Sequence, residues 1–346
     1  MSSLRTLTSA IVLATGLMAS AGTHAAETVT LKIAHFLPGV AQVQRQVLEP
    51  WCDDLGRESG GRIRCQFYPA LQLGGTAAQL VDLARNGVAD IVWTAPGYST
   101  GRFPKTEVLE LPGMLPVGGL AGGRAIWTFY QAHLQDEYAA YKLLALHGDG
   151  GMTIHTANKQ VAKAADFAGL KLRAPNRTIA RTLTELGATP VAMPPAQMTE
   201  AISKGVVDGA SAVWEVIGPT KLDEVTRFHL ETSPDEPVLG ATVLALLMNR
   251  KSFDAMPADL KAILEKNSGM VLVERFGRAW DATITATRDR VKAQGQAVTV
   301  LSGSAYDEVL KKLEPVTAEW IAQASAKGID AAPLAAAARQ LAPRPN

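Results

Sequence analysis

No stretch of this 346-residue chain approaches the roughly 20 consecutive apolar residues that a bilayer span requires. A surplus of charge is equally missing. The 34 Lys and Arg nearly balance the 33 Asp and Glu, and a net charge of +1 excludes the broad basic footprint of a nucleic-acid binder. The six histidines are scattered without paired metal-ligand spacing. No G-x-G-x-x-G, G-x-x-x-x-G-K-[ST] or H-E-x-x-H string occurs, so dinucleotide, phosphate-loop and zinc-protease chemistry have no sequence foothold, and no cofactor or metal is expected. What remains is ordinary for a globular protein: 47% hydrophobic and 19% charged residues, in a chain long enough for two domains.

Residues 1–25 read as a secretory signal. Arg5 supplies the positive start, residues 11–18 a short apolar run, and Thr23-His24-Ala25 a cleavage site with small groups at its last and third-last positions. The alternative is an uncleaved anchor. The signal implies an exported, soluble mature protein beginning near Ala26. The two cysteines, Cys52 and Cys65, both lie in the exported part, and an oxidising compartment favours their pairing. Two buried free thiols are the alternative.

Residues 169–215 carry the clearest pattern. Leu170, Leu172 and Ala174 alternate with Lys171 and Arg173, which is the period of a short strand, and Pro175 stops it. Asn176 can cap the helix that follows, ended by Gly187. A strand over 189–193, a helix from Pro194 to Lys204 and a strand entering at Val206 complete β-α-β-α-β, the order of a parallel sheet covered by helices. Arg173 therefore stands at a strand tip, where open α/β sheets bind ligands. The competing reading of Arg173 is a surface salt bridge.

The first half reads similarly, with strands at 28–36, 63–68 and 89–94 and helices at 42–57 and 76–86, the former kinked at Pro50. Gly87-Val88-Ala89-Asp90 leads to Trp93, and Gly205-Val206-Val207-Asp208 leads to Trp214, which suggests two similar α/β lobes aiming aromatic groups at one crevice. Residues 96–116, rich in Pro and Gly, read as a long surface loop. Gly148 to Gly151 mark a first crossing between lobes, and 239–249 an apolar strand returning to the first. Residues 257–294 read as a helical strut of about 50 Å, interrupted only at 267–269. The expected division is lobe I, 26–150 with 239–278; lobe II, 151–238 with 279–332; and a tail, 333–346.

The ordered strings His35-Phe36, Ser59-Gly60-Gly61-Arg62-Ile63, Gln72-Leu73-Gly74-Gly75, Gly87-Val88-Ala89-Asp90, Gly101-Arg102-Phe103-Pro104, Gly169-Leu170-Lys171-Leu172-Arg173 and Gly205-Val206-Val207-Asp208-Gly209 resemble the solute-binding proteins of TRAP (tripartite ATP-independent periplasmic) transporters. The resemblance covers essentially the whole mature chain. It implies a type II periplasmic-binding-protein fold, two α/β lobes with a hinge and a long helix across both. It implies a periplasmic, non-enzymatic protein that delivers an organic acid to small and large integral-membrane permease subunits. It also assigns Arg173 to the ligand carboxylate, a match that two parallel charge-assisted hydrogen bonds make specific to arginine. Sialic-acid-binding members carry a further arginine where this chain has Thr153, and an asparagine near Ala212. The pocket is thus less polar, with Trp93, Trp214, Phe36 and Met152 as candidate walls, which points to a monocarboxylate with an apolar or aromatic body. His35 is a candidate donor and Glu215 a candidate acceptor for a ligand hydroxyl or oxo group. Two other readings stand beside this one: an exported sensor for a membrane receptor, and an exported enzyme using Asp90, Asp208 or Glu215 as a base.

Overall fold

The computed structural model describes residues 27–342, so the signal expected at residues 1–25 lies outside it. Four strands open the chain: β1 (Val29–His35), β2 (Ile63–Tyr68), β3 (Ile91–Thr94) and β4 (Tyr141–His147). Five follow: β5 (Thr153–Thr156), β6 (Lys171–Ala174), β7 (Thr189–Ala192), β8 (Gly209–Ala212) and β9 (Phe228–Thr232). Then β10 (Leu244–Asn249) returns to the first sheet and β11 (Ala297–Leu301) to the second. The orders are β2-β1-β3-β10-β4 and β7-β6-β8-β5-β9-β11. In the first, β1 runs parallel to β2 and β3, and β10 is antiparallel to its neighbours. In the second, β6 runs parallel to β7 and β8, and β5 is antiparallel to β8 and β9. The two-lobed α/β fold expected from the sequence is thus present.

The chain crosses between sheets at residues 148–152 and 240–243, and these crossings lie side by side. Met152 N–H donates to Gly240 O at 2.8 Å. Asp149 pins both, its Oδ1 accepting from Gly151 N–H at 3.0 Å and its Oδ2 from Thr242 N–H at 2.8 Å. Glu110 Oε1 accepts from Val243 N–H at 3.1 Å.

A third connection is the helix Met270–Ala293, which packs on the helix Gly119–Phe129 and β4 at one end and on the helix Trp214–Thr220 and β11 at the other. At 1.5 Å per residue its 24 residues span about 36 Å. The strut is therefore shorter than the sequence suggests. The helix Ala258–Lys266 stops before it, and Gly269 (φ +69°) turns the chain by donating to Leu144 O. Gly277 lets the helices cross closely, since a Cβ there would stand 2.5 Å from Leu120 Cα. The expected lobe boundary at 278 falls inside this helix, and the expected tail begins inside another, Ala331–Arg339, which packs on the helix Glu314–Ser325.

Several local expectations change. Residues 96–116 are not a surface loop: Phe103, Val108, Leu109, Leu111, Met114 and Leu115 are core, because their apolar side chains outweigh the Pro and Gly that break regular structure around them. Instead of a kink at Pro50, a π-helical stretch, Val43–Leu48, precedes the helix Glu49–Glu58, whose first turn accommodates the proline. Strands β9 and β11 went unread: polar His229 and Glu231, both buried, interrupt the apolar pattern of β9, and β11 is a five-residue, largely apolar run, too short to be told from the helix before it. The Cys52 and Cys65 sulfurs lie 2.04 Å apart, joining that helix to β2.

Candidate functional site

Arg173 stands at the end of β6 and is only 3% exposed. Its Nε donates to Met193 O at 3.0 Å, just beyond β7, and its Nη1 to Ser211 O at 2.9 Å on β8. Two carbonyls from the flanking strands therefore hold the guanidinium by its inner edge, leaving Nη2 and the second Nη1 hydrogen for another partner. Among the described residues no carboxylate lies within ion-pair distance of it. Burial pulls its pKa below the ordinary guanidinium value, and the Tyr98 hydroxyl beside it opposes the shift. A buried cation without a counter-ion is a costly arrangement that a bound anion relieves.

The cavity that Arg173 lines lies between the sheets, with about 540 Å³ of space not filled by atoms when the open solvent at its mouth is included. Phe36 stacks on Trp93 with ring centroids 5.0 Å apart, and Tyr98 meets Phe36 edge-on at 5.4 Å. Met152, Ile179 and Val216 add aliphatic wall. Trp280, from the long helix, lies 6.2 Å from Trp93.

Two buried acids also line the cavity, and they act on each other. Burial pushes Glu215 up to about 8, with the Asp149 carboxylate adding to the shift. Asp149 rises to about 6 through burial, held back by its two backbone N–H donors. At neutral pH Asp149 is an anion and Glu215 a neutral acid.

Of the residues proposed from sequence, the structure brings together Arg173, Trp93, Phe36, Met152 and Glu215. It does not bring in the other three. His35 is fully buried behind the wall, its Nε2 bonded to Gln44 Oε1 at 2.9 Å. Thr153 Oγ1 donates to Ala212 O at 2.6 Å within the second sheet. Trp214 begins a helix instead of tipping a strand, and its Nε1 donates to Glu231 Oε2 at 2.9 Å. It packs on His155 and His229, in the core of the second half. Gly218-Pro219 had masked that helix in the sequence. Trp93 contributes only its face, since its Nε1 donates to His147 Nε2 at 3.1 Å. Sequence reasoning missed Tyr98, Asp149 and Trp280. Tyr98 sat in the supposed surface loop, Asp149 in a glycine-rich turn, and Trp280 in the strut, whose contacts no local pattern reveals.

Two of the three alternative bases, Asp90 and Asp208, are otherwise engaged, whereas Glu215 lines the cavity. Asp90 accepts from Lys32 N–H and the Ser252 hydroxyl, Asp208 from Lys171 N–H, and neither lines the cavity. Residues 97–101 fit the G-x-S-x-G spacing of a hydrolase elbow, but Ser99 donates to Ala78 O at 2.6 Å and follows a 3-10 turn.

Residues 33–324 match the sequence model of a family described as bacterial extracellular solute-binding protein, family 7 (DctP). Three solved structures are similar throughout. A TRAP solute-binding protein from Rhodoferax ferrireducens T118, in complex with copurified benzoate, is 40% identical with a TM-score of 0.87, covering 91% of this chain and 97% of that one. A marine metagenome TRAP solute-binding protein from an unidentified microbe, specific for aromatic acid ligands and in complex with 3-hydroxybenzoate, is 36% identical with a TM-score of 0.87 over 91% and 98%. One from Bordetella bronchiseptica, with bound (R)- and (S)-mandelate, is 28% identical with a TM-score of 0.81 over 90% and 98%.

Proposed function

Because the chain belongs to the family-7 bacterial extracellular solute-binding proteins, as a TRAP solute-binding protein, we propose that it captures an aromatic monocarboxylate. The observation that carries this is Arg173, a buried guanidinium with no counter-ion, facing a cavity walled by Phe36, Trp93 and Trp280. The carboxylate lies on the free edge of Arg173, beside the Tyr98 hydroxyl, in paired charge-assisted hydrogen bonds. The ring lies among the aromatic walls. A dicarboxylate is disfavoured, since its second charge would meet Asp149 and Glu215. Benzoate and mandelate in the similar proteins agree with this reading.

No covalent step is involved. The lobes close by hinge motion at the paired crossings pinned by Asp149, and the ligand favours the closed state through contacts to both sheets. In this reading the signal directs export to the periplasm, Cys52 and Cys65 form a disulfide there, and the loaded protein docks on small and large membrane permease subunits. Among the described residues no helix is long and apolar enough to cross a membrane.

Isothermal titration of the mature protein with benzoate tests the clamp. Arg173→Met should weaken binding by about 100-fold or more, the scale expected when one partner of a buried charge pair is removed, while the melting temperature persists. Unchanged affinity in that variant would overturn the clamp.

A further inference from the structure

Two polar atoms of the cavity-lining residues have no hydrogen-bond partner and no solvent access: Trp280 Nε1 and Glu215 Oε1. Trp280 is fully buried and Glu215 is 2% exposed. Buried polar groups are nearly always hydrogen-bonded, so two unpartnered ones lining one cavity call for an explanation, and an absent molecule supplies it.

Their chemistry narrows the group that would satisfy both. The indole N–H only donates. Glu215, a neutral acid at pH 7, can accept as well as donate. Asp149 is committed to Gly151 and Thr242, and Trp93 to His147. Among the described residues no carboxylate lies within ion-pair distance of Arg173, whereas Asp149 acts on Glu215, so the two acids form a part of the cavity separate from the cation: an acidic part. A hydroxyl matches the acidic part, because its oxygen accepts from the indole while its hydrogen is donated to the carboxyl. A second carboxylate does not match, since it would face Asp149. A bare ring would leave both atoms unpaired.

We propose that Trp280 and Glu215 form a hydroxyl-reading subsite, so that the preferred ligand is a hydroxylated aromatic monocarboxylate. This rests on the Arg173 clamp, which orients the acid so that its far side reaches the subsite.

The test is titration of the wild-type protein with benzoate and with 2-, 3- and 4-hydroxybenzoate. At least one hydroxylated isomer should bind about 10- to 100-fold tighter than benzoate, because a site built around a hydroxyl rejects the analogue lacking it. Trp280→Phe and Glu215→Met should each bring that ratio close to one, and Glu215→Gln, which keeps a neutral donor and acceptor, should restore part of it. Glu215→Met carries the test alone if Trp280→Phe fails to fold. A ratio that persists in both variants, or a wild type without preference for any isomer, overturns the subsite. Arg173→Met should lower all four affinities together. If it leaves benzoate binding intact the clamp falls, while the ratio still decides the subsite. Wild-type protein that binds none of the four acids overturns both.

Discussion

The first sheet begins β2-β1-β3 and continues through antiparallel β10 and β4; the second begins β7-β6-β8 and continues through antiparallel β5 and β9. In each, an aspartate just before the third parallel strand accepts the backbone N–H of a lysine on the central one: Asp90 from Lys32 at 2.9 Å, Asp208 from Lys171 at 2.7 Å. Aligned on these bonds, Arg173 corresponds to Ala34, and Gly209-Ala210-Ser211 correspond to Ile91-Val92-Trp93. One half fills its third parallel strand with large side chains and has alanine at the strand tip. The other empties that strand to small residues and seats a guanidinium there. The turn after that strand supplies Tyr98 in one half and Glu215 in the other. The same frame thus builds an aromatic wall on one side and a cation socket on the other. The tryptophans that made the halves look alike in sequence are not equivalent: Trp93 follows its aspartate by three residues, Trp214 by six.

The most drastic way to break this comparison is to give the second half the first half's residue. Gly209→Ile, copying Ile91, should destabilise the protein by about 3 kcal/mol or more in chemical denaturation, because any Cβ at Gly209 overlaps the His155 carbonyl oxygen. The first half is also the one with the cysteine pair, separated by 13 residues. Replacing Cys52 and Cys65 together with alanine should lower stability by about 3 kcal/mol through loop entropy in the unfolded chain, with little change in ligand affinity. Equal stability of the oxidised protein and the double variant would remove that asymmetry.

A pH series sharpens the contrast at Glu215. Its carboxyl rises from the ordinary 4.5 to about 8 in the folded state. Below pH 4.5 both states hold the proton. Between there and about 8 only the folded state does, so stability falls as pH rises, by up to about 1.4 kcal/mol per unit. Glu215→Gln should remove that slope, so its stability relative to wild type should grow from pH 5 to pH 8; a constant difference would show that Glu215 ionises normally. Asp149 adds a slope of the same sign at lower pH, and the variant leaves its own two N–H bonds in place. The smallest effect distinguishes the paired aspartates. Asp90→Ala strands both Lys32 N–H and the Ser252 hydroxyl, whereas Asp208→Ala strands one N–H. Denaturation midpoints should place Asp90→Ala lower by about 1 kcal/mol.

The α/β alternation, the strand ending at Arg173, the Asn176 cap and the Cys52–Cys65 proximity were all legible locally. Each follows from side-chain period, a stop residue or the reach of one helix-to-strand turn. Asn176 Oδ1 indeed accepts from Ile179 N–H at 2.8 Å. The cavity was only half legible. Phe36, Trp93, Met152, Arg173 and Glu215 were named, but His35, Thr153 and Trp214 do not line the cavity and bond to Gln44, Ala212 and Glu231 instead, and Tyr98, Asp149 and Trp280 were not seen.

From the sequence alone came the two-lobed architecture and the arginine at the strand tip, because periodicity and strand ends are short-range properties of the chain. Tertiary structure decided which side chains share the cavity. Trp280 and Arg173 lie over a hundred residues apart, and only the packing of the long helix across both sheets brings them to one space. It also decided charge, since no string of letters tells that Glu215 is buried deeply enough to keep its proton.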